Sequence, residues 1–112
     1  MEGREYIEKT YWVRIYISGP LEMIEQCCRE FVLDGLCVTV TPTKYIFTHG
    51  EETGVVVELI NYPVYPTMDN DIWRTATELA DFLLDNTHQG SYTVMDPTKT
   101  YTFDRRAVVK TK

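Results

Sequence analysis

Long hydrophobic runs are missing from this chain of 112 residues. No apolar stretch approaches the ~20 residues that a helix needs to cross a bilayer, and residues 1–5 are too polar for a secretory signal. Cysteine is scarce and odd in number, with Cys27, Cys28 and Cys37. Because adjacent helical residues point in different directions, we expect no disulfide framework. These features predict a reduced, cytoplasmic protein that has no membrane partner.

Basic charge is sparse before the C-terminus. Residues 1–104 contain all 17 acidic side chains and only seven basic ones, whereas residues 105–112 contain Arg105, Arg106, Lys110 and Lys112. The formal net charge of −6 argues against an electrostatic hold on nucleic acid, which needs clustered cations to displace counterions. We therefore expect no direct nucleic-acid binding.

The composition is that of one globular domain. Hydrophobic residues make up 44% of the chain and charged residues 25%, which is ordinary for a compact soluble protein. A length of 112 residues suits a single core. We expect one domain over residues 1–112, with a folded core at 10–104 and flexible tails at 1–9 and 105–112.

The spacing of apolar residues predicts the elements. Strict alternation over residues 11–18 predicts a half-buried strand. An apolar stripe predicts a helix over 20–34, which Gly35 ends in the left-handed conformation. The rest of the pattern predicts strands at 36–48 and 55–60, a helix at 71–86 capped by Asp69 or Asn70 and ended by Gly90, and strands at 92–95 and 100–104.

The resulting order is β-α-β-β-α-β with one added strand. It predicts an α+β fold of the ferredoxin-like type, a two-layer sandwich of an antiparallel sheet with both helices on one face and an extra C-terminal strand. The other face of the sheet stays open unless a ligand or a partner covers it.

The open face is expected to mix aromatic, aliphatic and charged residues. Its predicted members are Trp12, Arg14, Tyr16, Val56, Glu58 and Ile60. Such a patch is large enough to form a homodimer or to bind a ligand. A charge at position 58 among apolar neighbours would be costly alone, so we expect Glu58 to pair with Arg14 on the neighbouring strand. RNA bases also stack on aromatic rings of an open sheet, but the basic surround that RNA recognition needs is absent from the sequence.

The outer faces of the two helices are acidic. The predicted partner-binding residues are Glu22, Glu25, Glu30, Asp34, Glu78, Asp81 and Asp85. Carboxylates on a rigid surface attract a basic groove. The favoured function is therefore a small non-enzymatic regulator or inhibitor that docks a basic protein partner, such as a nucleic-acid-handling enzyme.

The alternative function is a small-molecule or nucleotide-binding protein, with enzymatic activity left open. Its site would lie on the open sheet face, beside the loops that contain Gly19, His49 and Pro63. The aromatic residues Trp12, Tyr16, Tyr45 and Tyr62 would form its walls.

Motifs for metal, cofactor or covalent chemistry are weak. His49 and His88 belong to no metal-binding pattern, and Asp69, Asn70 and Asp71 are too close together for a calcium loop. Cys28 falls on the apolar helical stripe, where cysteines are usually inert. We therefore predict no catalytic residue, no metal site and no cofactor.

The segment Ile15-Tyr16-Ile17-Ser18-Gly19-Pro20 resembles the opening of the nucleoside 2-deoxyribosyltransferases. In those enzymes a strand, turn and helix are followed by an α/β sheet that carries a carboxylate nucleophile. A hairpin follows here instead, so the resemblance implies nothing beyond Gly19 and Pro20, where helix N–H groups could receive an anion.

Overall fold

A computed structural model describes residues 2–106 of the chain, apart from the side chain of Asp34. The described residues form five strands, two α-helices and one short 3-10 helix. In chain order they are β1 (Trp12–Ser18), α1 (Leu21–Phe31), the 3-10 helix (Val32–Asp34), β2 (Thr39–Phe47), β3 (Gly50–Ile60), α2 (Asp69–Thr87), β4 (Ser91–Met95) and β5 (Thr100–Asp104).

The strands form one sheet in the order β2-β3-β1-β4-β5, and all neighbouring strands are antiparallel. Both helices pack on the same face of this sheet. The predicted ferredoxin-like α+β sandwich with an extra C-terminal strand is therefore confirmed.

Strand β1 lies at the centre of the sheet and is buried on one side. Val13 and Ile15 are 0% exposed and Ile17 is 2% exposed, because α1 and α2 cover them. The residues between them are half-buried on the opposite face. In the antiparallel register with β3, Arg14 lies opposite Glu58.

Strand β3 is longer than the sequence predicts. It begins at Gly50 instead of residue 55, and the hairpin with β2 turns at Thr48 and His49, where His49 has φ 70°. Gly54, which falls between the two predicted strands, instead lies inside β3. A Cβ there would lie 2.5 Å from the Tyr45 ring and 2.6 Å from the Ile17 carbonyl oxygen. Glycine is therefore required by close packing at this point.

The ends of α2 also differ from the prediction. Met68 occupies the N-cap without a side-chain hydrogen bond, so the predicted capping by Asp69 or Asn70 is wrong. These residues lie in the first turn, where the acid at 69 still complements the positive helix end. His88, with φ 57°, ends the helix instead of Gly90. The helix predicted over 20–34 is α-helical only to Phe31, and the 3-10 helix follows. Gly35 ends this 3-10 helix in the predicted left-handed conformation, with φ 97°.

The chain after β5 is partly ordered against the domain. The Arg105 backbone N–H donates to the Gly90 carbonyl, and its guanidinium lies 2.5 Å from a carboxylate oxygen of Asp85. The flexible tail expected over residues 105–112 stays a prediction. Its cations Lys110 and Lys112 lie outside the described residues.

A buried carboxylate ties the β4–β5 turn to the start of β1. Asp96 is 4% exposed. It accepts a hydrogen bond of 2.6 Å from the Tyr11 hydroxyl and one of 2.9 Å from the Lys99 ammonium, together with the backbone N–H groups of Thr98 and Lys99. Burial by itself would raise the pKa of Asp96, but these donors hold it well below its usual range.

We predict that Asp96→Ala destabilises the domain by about 3 kcal/mol, because several charge-assisted hydrogen bonds lose their acceptor and the Tyr11 hydroxyl is left buried. This corresponds to a fall in melting temperature of roughly 10 °C. Calorimetry measures it, with the exposed Glu78→Gln as the control. A shift no larger than that of the control would show that Asp96 does not hold the turn.

The same carboxylate predicts an acid-dependent stability. The folded-state pKa of Asp96 is lower than the unfolded value of about 3.9. Its contribution is therefore complete above that pH and is lost as the pH falls toward the folded-state value. We expect the difference in unfolding free energy between the natural chain and Asp96→Asn to be constant between about pH 5 and about pH 7 and to shrink below about pH 4. A difference that grows on acidification would contradict this account.

Candidate functional site

The open face of the sheet carries an ion pair at its centre. The Arg14 Nε lies 2.7 Å from a carboxylate oxygen of Glu58, and both side chains are only partly exposed. The Arg14 guanidinium also lies over the Trp12 ring, 4.1 Å from its centroid. The pairing of Glu58 with Arg14 that the sequence predicts is therefore present, and it keeps a charged couple on an otherwise aromatic surface.

A second cluster lies at the other end of this face. Tyr45 packs over Gly54, and its hydroxyl donates to the Val55 carbonyl. Burial raises the pKa of Tyr45 to about 12. Nearby, the Ser18 hydroxyl donates to the carboxylate of Glu52. The hydroxyls and carboxylates here make this end polar.

The structure places the predicted members of the open face together. Trp12, Tyr16 and Val56 are half-buried on it, and Ile60 at its edge is 39% exposed. Self-association through this face remains a prediction.

An apolar cavity of about 440 Å³ opens at one end of the sheet, between the β3–α2 connection and the chain that leads into β2. Its walls are mostly aliphatic and aromatic. The lining residues are Gly35, Leu36, Cys37, Leu59, Ile60, Tyr62, Val64, Tyr65, Thr67, Ile72 and Thr75. This size and composition are typical of a small-molecule site.

Tyr62 and Cys37 form a polar pair in the wall of this cavity. The Cys37 thiol donates to the Tyr62 hydroxyl over 3.4 Å. The contact with Cys37, burial and the negative charge of Glu58 raise the pKa of Tyr62 to about 12. Neighbouring Asn61 fixes the connection, because its side chain donates to the Lys9 carbonyl and accepts from the Thr67 N–H.

The cavity and the open face are contiguous. Ile60 lies on both, and Glu58 is near enough to act electrostatically on Tyr62. Sequence analysis named Tyr62 as a wall of the alternative site but missed the cavity itself. The available signal was the apolar pair Val64 and Tyr65 within a proline-containing connection, where polar residues are more usual.

The acidic residues of the helices are mostly exposed, and several already have partners. Glu22 and Glu30 are exposed and Glu25 is half-buried on α1. The predicted site residue Asp34 has its side chain outside the described part of the structure. On α2, Glu78 is paired with Arg74, Asp81 with the Tyr92 hydroxyl, and Asp85 with Arg105.

The described residues 2–106 contain no group of three or more His, Cys, Asp or Glu side chains that could hold a metal ion. Within the same range, neither helix is long and apolar enough to cross a membrane.

Two solved structures resemble this chain along nearly its whole length. One is a phage SAM lyase in its apo state, with a TM-score of 0.67 and 13% identity, covering 96% of this chain and 99% of the other. The second is a phage SAM lyase in complex with S-methyl-5'-thioadenosine, with a TM-score of 0.63, 13% identity and coverage of 93% and 96%. No protein-family model and no curated protein matches the chain.

This comparison corrects the favoured prediction of function. The structural neighbours are enzymes, and one contains a small nucleoside thioether. The prediction of a non-enzymatic regulator or inhibitor that docks a basic protein is wrong, and the alternative, a small-molecule or nucleotide-binding protein, is favoured. The acidic helix faces misled the prediction, because exposed carboxylates on helices are also required for solubility.

We predict that the three cysteines differ in reactivity. Cys37 is exposed at the cavity, whereas Cys27 and Cys28 are buried. Burial raises the pKa of the Cys27 thiol and raises the pKa of Cys28 to about 11. Because the thiolate is the nucleophile, iodoacetamide at pH 8 should modify Cys37 at least about tenfold faster than the other two. Mass spectrometry of peptides measures the rates, and equal rates in the folded protein would contradict the placement of Cys37.

Proposed function

We propose that this protein binds S-adenosylmethionine (SAM) and cleaves its carbon–sulfur bond, releasing S-methyl-5'-thioadenosine. The observation that carries the proposal is the apolar cavity, which shares Ile60 with the sheet face that carries the Arg14–Glu58 ion pair. The cavity suits a neutral nucleoside thioether, and the ion pair suits a charged amino-acid group. The likeness to the phage SAM lyases in fold supports the choice of this ligand class.

The cavity suits the adenosine part of such a ligand. Its volume of about 440 Å³ falls within the range of small-molecule pockets. Its walls offer apolar surface and the rings of Tyr62 and Tyr65 for a base, and the hydroxyls of Thr67 and Thr75 for a ribose. No Lys or Arg lines this cavity, so it is better matched to a nucleoside than to a phosphorylated nucleotide.

The ion pair suits the rest of SAM. The α-carboxylate of an amino acid matches the Arg14 guanidinium, and its ammonium matches the Glu58 carboxylate. The sulfonium, which lies between the adenosine and the amino acid in SAM, would then sit near the boundary at Ile60. There the negative charge of Glu58 and the face of the Trp12 ring could stabilise it.

The same geometry favours cleavage on physical grounds. When the carbon–sulfur bond breaks, its electron pair stays on sulfur and the sulfonium becomes a neutral thioether. The four-carbon fragment is completed by loss of a proton or by a bond to its own carboxylate. An apolar cavity holds a neutral thioether more favourably than a charged sulfonium. As the carbon–sulfur bond breaks and the sulfur loses its charge, the cavity therefore stabilises the developing thioether and lowers the barrier to cleavage.

We predict that a mutation at the ion pair and a mutation in the cavity have different effects on the binding of the two ligands. Glu58→Gln should weaken SAM binding at least about tenfold and leave S-methyl-5'-thioadenosine binding nearly unchanged, because only SAM carries the ammonium and the sulfonium. Thr75→Met, which fills the cavity, should weaken both ligands. Isothermal titration measures the affinities, and chromatography of SAM incubations measures release of the thioadenosine.

The control is Glu51→Gln, which removes a carboxylate at the far hairpin that pairs with Lys44. It should bind both ligands like the natural chain. Cys37 gives an independent readout, since a ligand in the cavity should slow its alkylation. If neither ligand binds, or if Glu58→Gln weakens both equally, the proposed arrangement is wrong.

A further inference from the structure

A second groove lies on the other side of α2 from the cavity, under the β4–β5 hairpin. On α2 it is lined by Trp73, Thr77 and Asp81, which are spaced four residues apart and so share one helical face. Tyr92, Tyr101 and Phe103 of the hairpin face them. The groove has a volume of about 510 Å³, and the proposed SAM site shares none of its residues.

The rings on the hairpin form one wall of the groove. The centroid of Tyr92 lies 6.2 Å from that of Tyr101 and 5.8 Å from that of Phe103, with the planes tilted by 58° and 34°. Tyr92 is buried behind them, whereas Tyr101 is 43% exposed and Phe103 is 38% exposed. Large apolar side chains are thus left open to solvent on a surface that the helix already partly encloses.

The molecule itself places a cation against one ring of this groove. The Lys99 ammonium lies 4.1 Å from the centroid of the Trp73 ring. Its charge is balanced by Asp96, 2.9 Å away. The Trp73 ring is thus already engaged in a cation–π contact at one edge of the groove.

A carboxylate without a cationic partner in the described residues completes the groove. Asp81 accepts a hydrogen bond of 2.5 Å from the neutral Tyr92 hydroxyl, and residues 2–106 supply it with no ion pair. The neighbouring acids differ, because Glu78 faces Arg74 and Asp85 faces Arg105. Aromatic rings and an uncompensated carboxylate together are the combination that attracts an organic cation.

We propose that this groove binds an onium cation, that is, a quaternary ammonium or a sulfonium group with apolar substituents. Such a cation carries its charge under methyl or methylene groups and loses little hydration when it contacts ring faces. Inorganic cations and primary ammonium ions are more strongly hydrated and fit less well. The proposal does not depend on the cavity or on SAM cleavage.

The test uses the fluorescence of Trp73 in a Trp12→Phe background, at constant ionic strength. The probes are tetramethylammonium and trimethylsulfonium, which show whether the groove prefers a quaternary ammonium or a sulfonium group. Ammonium chloride and neutral tert-butanol are the reference solutes. We expect saturable quenching by at least one onium ion, at least tenfold tighter than by either reference solute. Equal responses to all four solutes would overturn the proposal.

Single substitutions test the contributions of Asp81 and Tyr101 to onium binding. Asp81→Asn keeps an acceptor for Tyr92 but removes the charge, and it should weaken onium binding at least tenfold. The matched control Asp85→Asn, one turn further along α2, should change binding less than twofold. Tyr101→Leu should also weaken binding while the melting temperature reports the fold. If Asp81→Asn binds as tightly as the control, the assignment fails.

Onium binding by the groove can be tested separately from the proposed SAM cleavage. Asp81→Asn should bind S-methyl-5'-thioadenosine as the natural chain does, because the groove and the cavity lie on different sides of α2. Glu58→Gln should leave quenching by tetramethylammonium unchanged. A loss of both activities in either single variant would instead indicate a general disturbance of α2 and would contradict the assignment of two sites.

Discussion

The one-sided burial of β1 is the constraint on which the other features depend. This strand pairs on both edges, and α1 and α2 cover its Val13, Ile15 and Ile17 side. A shift of one residue in register would expose these side chains and bury Trp12, Arg14 and Tyr16 instead. Because the cost of burying Arg14 is high, the register is strongly fixed. That register in turn sets Arg14 opposite Glu58.

The same constraint separates two kinds of surface. The helix side of β1 is apolar and closed, whereas the other side of the sheet keeps an ion pair, aromatic rings and hydroxyls accessible. A charged pair at the surface contributes little to stability, so the role proposed for it is recognition. Because Arg14 and Glu58 lie on paired strands, their relative positions are fixed. Because both side chains stay partly exposed, holding them there does not require the large desolvation cost of a buried ion pair.

Openings in this fold occur where the helices stop covering the sheet. The apolar cavity lies beyond the end of β3, where the connection to α2 crosses the edge of the core. The aromatic groove lies where β5 extends the sheet past α2. The added strand thus creates the second opening, since two helices cannot cover five strands. The likeness to phage SAM lyases at 13% identity concerns the fold, and the two proposed sites are argued from the side chains of this chain.

Sequence periodicity was sufficient for the element order, the fold class and the face of each β1 residue, because alternation and helical spacing are local properties. The pairing of Arg14 with Glu58 follows from a different argument, the cost of a lone charge among apolar neighbours, and the register of β1 with β3 brings the two together. It could not place Gly54 within a strand, since the reason is the Tyr45 ring packed against it from another strand. It also could not reveal either opening. Leu36, Tyr62 and Ile72, or Trp73 and Phe103, are distant in sequence, and only the packed fold brings them together. The acidic helix faces show the opposite limit. Their charge is visible in the sequence, and the pairing of Glu78 with Arg74 is a local i,i+4 contact on α2. The pairing of Asp85 with Arg105 depends on tertiary geometry, because it joins α2 to the chain after β5.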